Sequence, residues 1–585
     1  MSVEAKAIVV ERGIESRMRD GTVLRADVYR PAADGQFPVL LERIPYNKAL
    51  LPLATLTLDP ITAALAGYVV VIQDTRGRFT SDGGPFYMYR DEYEDGYDSV
   101  EWAAGLPWSS GRVGMFGASY MGMTQWQAAA MRPPHLEAIF PCTAADGVHA
   151  YRGGALEWGL LATWTLAAIG PNAVLRARPA SEARAEFLDL ARTLDRLDEV
   201  YETLPPAALP SRHLGNGFAR FFDDIVAHPN EDDYHRRIGM KGKHAEVVVP
   251  AFILAGWYDA LLGCDLDHFA RARSQAGSPR ARERTRIMVG PWAHAGFSHM
   301  VGERNFGLAA SGLSLGLRTD LTSLQIRWFD RWLKDARNGV DEEPPVKLFV
   351  MGDNVWRDET DWPLSRAQYV PIFLHSGGRA NAVHGDGTLS PDAPGEERPD
   401  HFVYDPSNPV PSCGGNHLLP ANHPRGPLDQ RAVEERPDVL VYTSRMLDAD
   451  LEVTGPVVAK LHAATSAKDT DFTAKLVDVL PDGRALNICD GIIRASHRGG
   501  SAAAPCLLEP GRAYEYTIDL WATSNVFKRG HRLRLEISSS NFPRFDRNPN
   551  TGEPAAEATR LTPAFQSVFH DVQRASHVLL PIVPR

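Results

Sequence analysis

Cysteine is scarce in this chain: five are spread over 585 residues, at positions 142, 264, 413, 489 and 506. The number is odd and no two form C-x-x-C, which argues against a disulfide framework and offers no thiolate metal or redox site. H-E-x-x-H, a Walker loop and a dinucleotide fingerprint are all missing, so neither a metal nor a cofactor is expected. No run of about 18 apolar residues suggests a membrane span. The first fifteen residues, with Glu4, Lys6, Glu11 and Arg12, hold no apolar run of signal-peptide length. Long blocks of one charge are also absent. The net charge of −11 is dispersed, which favours solubility and argues against a nucleic-acid partner. The expectation is a cytoplasmic protein with no membrane or nucleic-acid partner, whose chemistry is left to side chains alone.

What is present is enough apolar sequence, 44%, to bury a large core, and enough length for two or three domains. Arg17 to Gly21 supplies a turn before the alternating strand Val23 to Tyr29, and Val39-Leu40-Leu41 runs on toward Pro45-Tyr46. Gly67 to Gln73 is a continuous β-branched run, the mark of a parallel strand covered on both faces. The acidic group Asp91, Glu92, Glu94, Asp95 and Asp98 reads as the solvated first half of a helix rather than a metal site. Ala138 to Thr143 is a further strand. Residues 145 to 240 change character, with an apolar helix over Ala155 to Ile169 and an amphipathic one over Ser181 to Leu204. This insertion reads as a helical cap over the carboxyl ends of the strands. Strands resume at Val247 to Gly256 and Arg286 to Gly290, and helix Thr319 to Lys334 closes the domain. Its Leu and Trp face is expected to pack on a second domain.

That second domain begins past the linker Asp341 to Pro345. Short alternating runs at 346–350, 457–463, 472–479 and 532–538, with a Pro481-Asp482-Gly483 hairpin turn, predict a β-sandwich of jelly-roll type. The stretch 376–436 reads as long loops. The division is therefore an α/β domain over 1–144 and 241–340, a cap over 145–240, and a jelly roll over 345–585.

Function shows in Val113-Gly-Met-Phe-Gly-Ala-Ser-Tyr-Met-Gly122. A strand feeds Gly-Ala-Ser and then a helix, the pattern of a nucleophile elbow that lifts Ser119 clear of the sheet. The usual G-x-S-x-G has its second glycine one place earlier than Gly122. Two later strand ends offer Asp259, in Gly256-Trp-Tyr-Asp259, and His294, in Gly290-Pro-Trp-Ala-His294. Serine, acid, histidine is the order this fold uses. A histidine with an ordinary pKa near ~6.5 can take the serine proton, and a buried acid fixes its tautomer. His268, His299, Asp265 and Asp267 are the rivals.

These motifs resemble one family of α/β-hydrolases, that of cocaine esterase and the X-Pro dipeptidyl-peptidases, with the α-amino acid ester hydrolases and cephalosporin acylases. Gln73-Asp-Thr-Arg-Gly77, Asp469-Thr-Asp-Phe-Thr-Ala-Lys-Leu476 and Ser538-Ser-Ser-Asn-Phe-Pro543 carry the likeness through the chain, and the late glycine is the family's own form. The resemblance implies an α/β-hydrolase domain, a helical cap and a carboxy-terminal jelly roll. It implies Ser119, Asp259 and His294 as a triad. It also implies an oxyanion held by the Tyr46 hydroxyl and the Tyr120 backbone N–H.

Where the α-amino acid ester hydrolases carry acids to hold a substrate ammonium, this chain has Leu261 and Leu262. A free-amine substrate is disfavoured unless Asp146 or Glu157 substitutes. Trp164 and Leu261 are expected to line an apolar acyl pocket. The reading is a serine carboxylesterase acting on a small-molecule ester of an apolar acid through an acyl-enzyme. An amidase, acylase or X-Pro dipeptidyl-peptidase is the alternative, a binding protein without catalysis is the reading from another class, and a homodimer is left open.

Overall fold

Every residue of Val69–Asp74 is buried, as a strand covered on both faces requires. The computed structural model describes residues 7–147, 150–177, 179–214 and 219–585 and sets this strand in a sheet of ten. In chain order the strands are β1 (Ile8–Arg17), β2 (Val23–Pro31), β3 (Phe37–Ile44), β4 (Val69–Asp74) and β5 (Ser109–Ala118). They continue as β6 (Leu136–Cys142), β7 (Phe252–Tyr258), β8 (Arg286–Ala293), β9 (Val346–Val350) and β10 (Val355–Glu359). In space β4 lies between β2 and β3, and the rest follow chain order. From β3 and β4 through β9 neighbours run parallel, so their carboxyl ends share one edge. Ligands and chemistry collect at that edge in α/β sheets.

Two expectations change here. Val346–Val350 pairs with β8 and extends this sheet rather than opening the sandwich. Its sequence alternates like a sandwich strand, but both faces are covered, and Val346, Leu348 and Phe349 belong to the hydrolase core. Helix Leu321–Leu333 packs on its own sheet, not on the second domain. Phe329 lies where Gly114 of β5 leaves room, Phe140 of β6 is 6.4 Å from Phe329, and Trp328 meets Phe252 of β7 edge-on at 5.5 Å.

Between β6 and β7 the chain makes the cap. The apolar stretch begins with a two-residue strand, Ala155–Leu156, and turns helical at Trp158. A π-helical segment, Trp164–Ile169, follows before helix Gly170–Ala177. Trp158–Ala177 is long and apolar enough to cross a membrane by composition, so the expectation that no such stretch exists was too strong. Over half of it is buried within the protein, and Leu161, Leu166 and Ile169 belong to the main core. The long amphipathic helix divides at Asp195 and Arg196 into Ala180–Leu194 and Leu197–Tyr201. Leu190 and Tyr201 point inward as the spacing predicts, whereas Phe187 is exposed.

Twelve strands from Gln368 to Val583 form a second sheet. Its pairings are antiparallel except for Thr388–Ser390 with Leu440–Ser444. The sheet wraps its own core, with Leu461, Phe472, Leu476, Tyr516, Leu535 and Leu580 inside. Strands Asp471–Val479 and Ala485–Arg494 meet at the Pro481-Asp482-Gly483 turn, where Gly483 takes φ +89.

Candidate active site

Strand β5 ends at Ala118, and helix Tyr120–Ala130 starts one residue beyond Ser119. Ser119 has φ 63 and ψ −123, a strained conformation that turns strand into helix and holds the side chain off the sheet. The two glycines have different jobs. A β-carbon on Gly117, which has φ +126, would lie 2.6 Å from the Met121 β-carbon, so this glycine permits the turn. A β-carbon on Gly122 would lie 2.8 Å from that of Ala144, so this glycine lets the helix cross the chain leaving β6.

Asp259 stands just past β7 with no exposure, and His294 just past β8 with 7%. Both carboxylate oxygens of Asp259 lie 3.1 Å from His294 Nδ1, which directs Nε2 away from the acid. The Leu261 amide donates to the same carboxylate at 2.6 Å. The rivals are engaged elsewhere. His268 Nδ1 is 3.0 Å from His244 Nε2, and its ring stacks on Trp126. Asp265 accepts from the Ala144 amide at 2.9 Å, and Asp267 takes Arg271 at 2.6 Å. His299 lines a separate pocket with Thr55, Phe297 and Leu313 and is not among the residues around Ser119.

Tyr46 lies just past β3, half-buried. Its hydroxyl accepts from Trp164 Nε1 at 2.9 Å, and Ser119 is its other side-chain hydrogen-bonding neighbour. Burial raises the Tyr46 pKa, so the phenol keeps its proton; Trp164, Ser119 and the nearby Arg78 charge oppose that shift without reversing it. The Tyr120 amide opens its helix, where the first N–H groups have no intrahelical acceptor. The Tyr120 hydroxyl donates to Glu92 at 2.9 Å and accepts from the Tyr89 amide at 3.1 Å.

The acidic group is not a solvated helix end. Glu92 and Asp95 are buried, Glu92 against Arg43 and Asp95 against Arg76. Burial pushes the Glu92 pKa up, with Arg43 opposing it. Counting charges along the sequence could not show this, because both arginines arrive from other strand ends.

Ser119 and Tyr46 open onto a cavity of about 510 Å³ of empty space. Trp164 and Leu261 line it, with Met88, Leu160, Leu161, Ile225 and Leu418. Among the described residues one charged side chain shares the wall: Glu157, 3% exposed. One of its oxygens has no partner among the described residues and the other is 3.6 Å from Arg544. Burial raises the Glu157 pKa, and the Arg544 charge works against it. Asp146, the other substitute acid, accepts from the Met240 amide at 3.0 Å and is not among the lining residues. Among the described residues no three His, Cys, Asp or Glu side chains gather as a metal would need.

Sequence reasoning missed the contribution of the second domain. Asn416 donates to the carbonyls of Trp257 at 2.9 Å and Asp259 at 3.1 Å, and Arg425 donates to that of His294 at 3.1 Å. All three bonds end on main chain, so no residue-type pattern announces them. Arg78 was also missed, although it directly follows the Asp74-Thr-Arg-Gly77 motif.

Residues 20–296 match the X-Pro dipeptidyl-peptidase (S15 family), and residues 338–579 match the C-terminal non-catalytic domain of X-Pro dipeptidyl-peptidase. The chain is 41% identical over 580 residues to the cocaine esterase of Rhodococcus sp. (strain MB1 Bresler), covering 97% of each. Among solved structures it is similar to an α-amino acid ester hydrolase, with TM-score 0.78 and 22% identity over 100% of this chain and 98% of the other. An aminopeptidase from a marine sediment Thaumarchaeota archaeon gives TM-score 0.79 and 24% identity over the same shares. Both structural likenesses speak to fold.

Proposed function

The chain belongs to the X-Pro dipeptidyl-peptidase (S15) family and is a serine hydrolase of esterase type, and on that premise we propose that Ser119, Asp259 and His294 cleave esters of largely apolar acids through an acyl-enzyme. The observation that carries the reading is the convergence at one sheet edge. A strained Ser119 opens onto a largely apolar cavity, and farther along the same edge the ends of β7 and β8 hold His294 against both oxygens of Asp259.

His294 Nε2 takes the Ser119 proton as the oxygen attacks the ester carbonyl, and Asp259 steadies the imidazolium. The tetrahedral oxygen accepts from the Tyr46 hydroxyl and the Tyr120 amide. His294 returns the proton to the departing alcohol. A water then repeats the sequence on the acyl-enzyme and frees the acid and Ser119. The wall of Trp164, Leu160, Leu161, Ile225 and Leu261 receives the acyl group. The five cysteines are all free, which supports a cytoplasmic setting.

Ser119→Ala is expected to abolish turnover of p-nitrophenyl butyrate and labelling by a fluorophosphonate, with the fold intact. Labelling of another serine, with activity kept in the alanine variant, would remove the assignment. Glu157 favours a second reading, in which the acyl group carries an amino group, as an acylase or X-Pro dipeptidyl-peptidase substrate does. The Leu261 and Leu262 positions give no help there, so Glu157 would act alone.

A further inference from the structure

Arg78 has no exposure, and its three nitrogens end on main-chain carbonyls rather than on a carboxylate. Nε donates to Pro45 at 2.7 Å, and the two terminal nitrogens donate to Ile169 at 3.2 Å and Ala168 at 2.8 Å. The carbonyl of Pro45 belongs to the peptide that joins it to Tyr46. Ala168 and Ile169 close the π-helical segment that Trp164 opens, and Trp164 is the residue that donates to the Tyr46 hydroxyl. Tyr46 is thus tied at both ends to one six-residue segment of the cap, by Trp164 at the hydroxyl and by Arg78 at the peptide. Phe79 and Phe86 lie against the guanidinium, at 4.9 and 5.3 Å.

We propose that Arg78 is a positioning residue for the oxyanion site, fixing the Tyr46 hydroxyl against the cap. The proposal rests on the reading of Tyr46 as an oxyanion donor. A guanidinium taken out of water without a carboxylate partner is costly to the fold. Burial pulls the Arg78 pKa down to about 10, with the nearby Tyr46 and Tyr120 hydroxyls and Asp74 opposing that shift, so it stays charged at neutral pH. A hydroxyl held in place grips the tetrahedral oxygen more than the neutral carbonyl, so the effect of Arg78 falls on the transition state. The bond from Trp164 into the hydroxyl oxygen also polarises the tyrosine O–H toward its acceptor.

The test is a double-mutant cycle on the whole chain, with p-nitrophenyl butyrate as substrate and phenylboronic acid as a tetrahedral adduct of Ser119. Tyr46→Phe alone is expected to lower kcat by roughly 10²- to 10³-fold. Arg78→Met alone is expected to lower it by about 10- to 100-fold, short of losing the donor itself. It is expected to weaken the boronate by a similar factor while KM moves by less than about threefold. In the Tyr46→Phe background the same Arg78 change is expected to lower kcat by less than about threefold. Equal losses in the two backgrounds, or near-wild-type kcat in Arg78→Met, overturn the proposal and leave the Tyr46 reading standing. Near-wild-type kcat in Tyr46→Phe sinks that reading, and the proposal with it. Should near-ultraviolet circular dichroism show Arg78→Met unfolded, Arg78→Lys, which keeps the charge but reaches fewer carbonyls, enters the same two-background comparison.

Discussion

One buried carboxylate can decide what enters this site. Glu157 lines the cavity, and one of its oxygens has no partner among the described residues. A substrate ammonium at that oxygen would gain a charge-assisted hydrogen bond, whereas an apolar acyl group would leave it unpaired. The comparison is between two esters that differ only in an α-amino group on the acid. If Glu157 holds the amine, Glu157→Gln is expected to raise KM for the amino ester at least about tenfold, a loss near 1.4 kcal/mol. The plain ester is expected to change by less than about threefold. Equal changes for both esters would make Glu157 a wall residue only. At this scale the sequence was readable where chemistry fixes residue type and place together. Ser119, Asp259, His294 and Tyr46 each end a strand, and strand ends can be read from hydrophobic runs. Glu92, Arg78 and Asn416 were not readable, because their partners come from distant parts of the chain and two of the three bond to main chain.

Elements follow the same division. Strands buried on both faces, such as β4 and β7, declare themselves as apolar runs, and the elbow follows from β5 with its small residues. Val346–Val350 deceived because a sheet's last parallel strand and a sandwich strand share one alternation; only pairing with β8 separates them. The stretch 376–436, loops apart from two short strands and a helical turn, gave no period, yet its Asn416 and Arg425 brace the strand ends that carry Asp259 and His294. Asn416 is 3% exposed and satisfies two carbonyls on the chain that presents Asp259. Asn416→Ala leaves both carbonyls short of a donor, at a cost of about 1–3 kcal/mol. The loop carrying the acid is then free to relax. Displacing a catalytic group by about 1 Å can cost roughly 10² in rate, and kcat is expected to fall by about tenfold or more, with KM little changed. Steady-state kinetics beside a denaturant titration checks both numbers. Wild-type kcat in a destabilised variant would restrict Asn416 to holding the domains together.

For the whole molecule, the two domains share one site and are not a catalyst with an appendage. Leu418 lines the cavity, Leu419 belongs to the hydrolase core, and Arg544 pairs with Asp490 at 2.7 Å while standing beside Glu157. The Gly159 amide of the cap donates to the Arg544 carbonyl at 3.1 Å. Two shortened chains separate what the second domain does. A chain ending at Asp341 loses β9 and β10 and leaves β8 as a bare sheet edge, the kind of edge that aggregates; it is expected to be insoluble. A chain ending at Asp361 keeps all ten strands but lacks Leu418 and the hydrogen bonds of Asn416 and Arg425. Its sheet edge is finished while Asp259 and His294 are unbraced and its cavity is open to water. Any protein recovered from it is expected to show strand and helix signals in far-ultraviolet circular dichroism, a lowered melting temperature and no measurable turnover. The contrast between the two cuts carries the argument, since a general loss of stability would treat them alike. A soluble chain ending at Asp361 with wild-type kcat and melting temperature would make the second domain dispensable, and the bracing of Asp259 and His294 would then be incidental to catalysis.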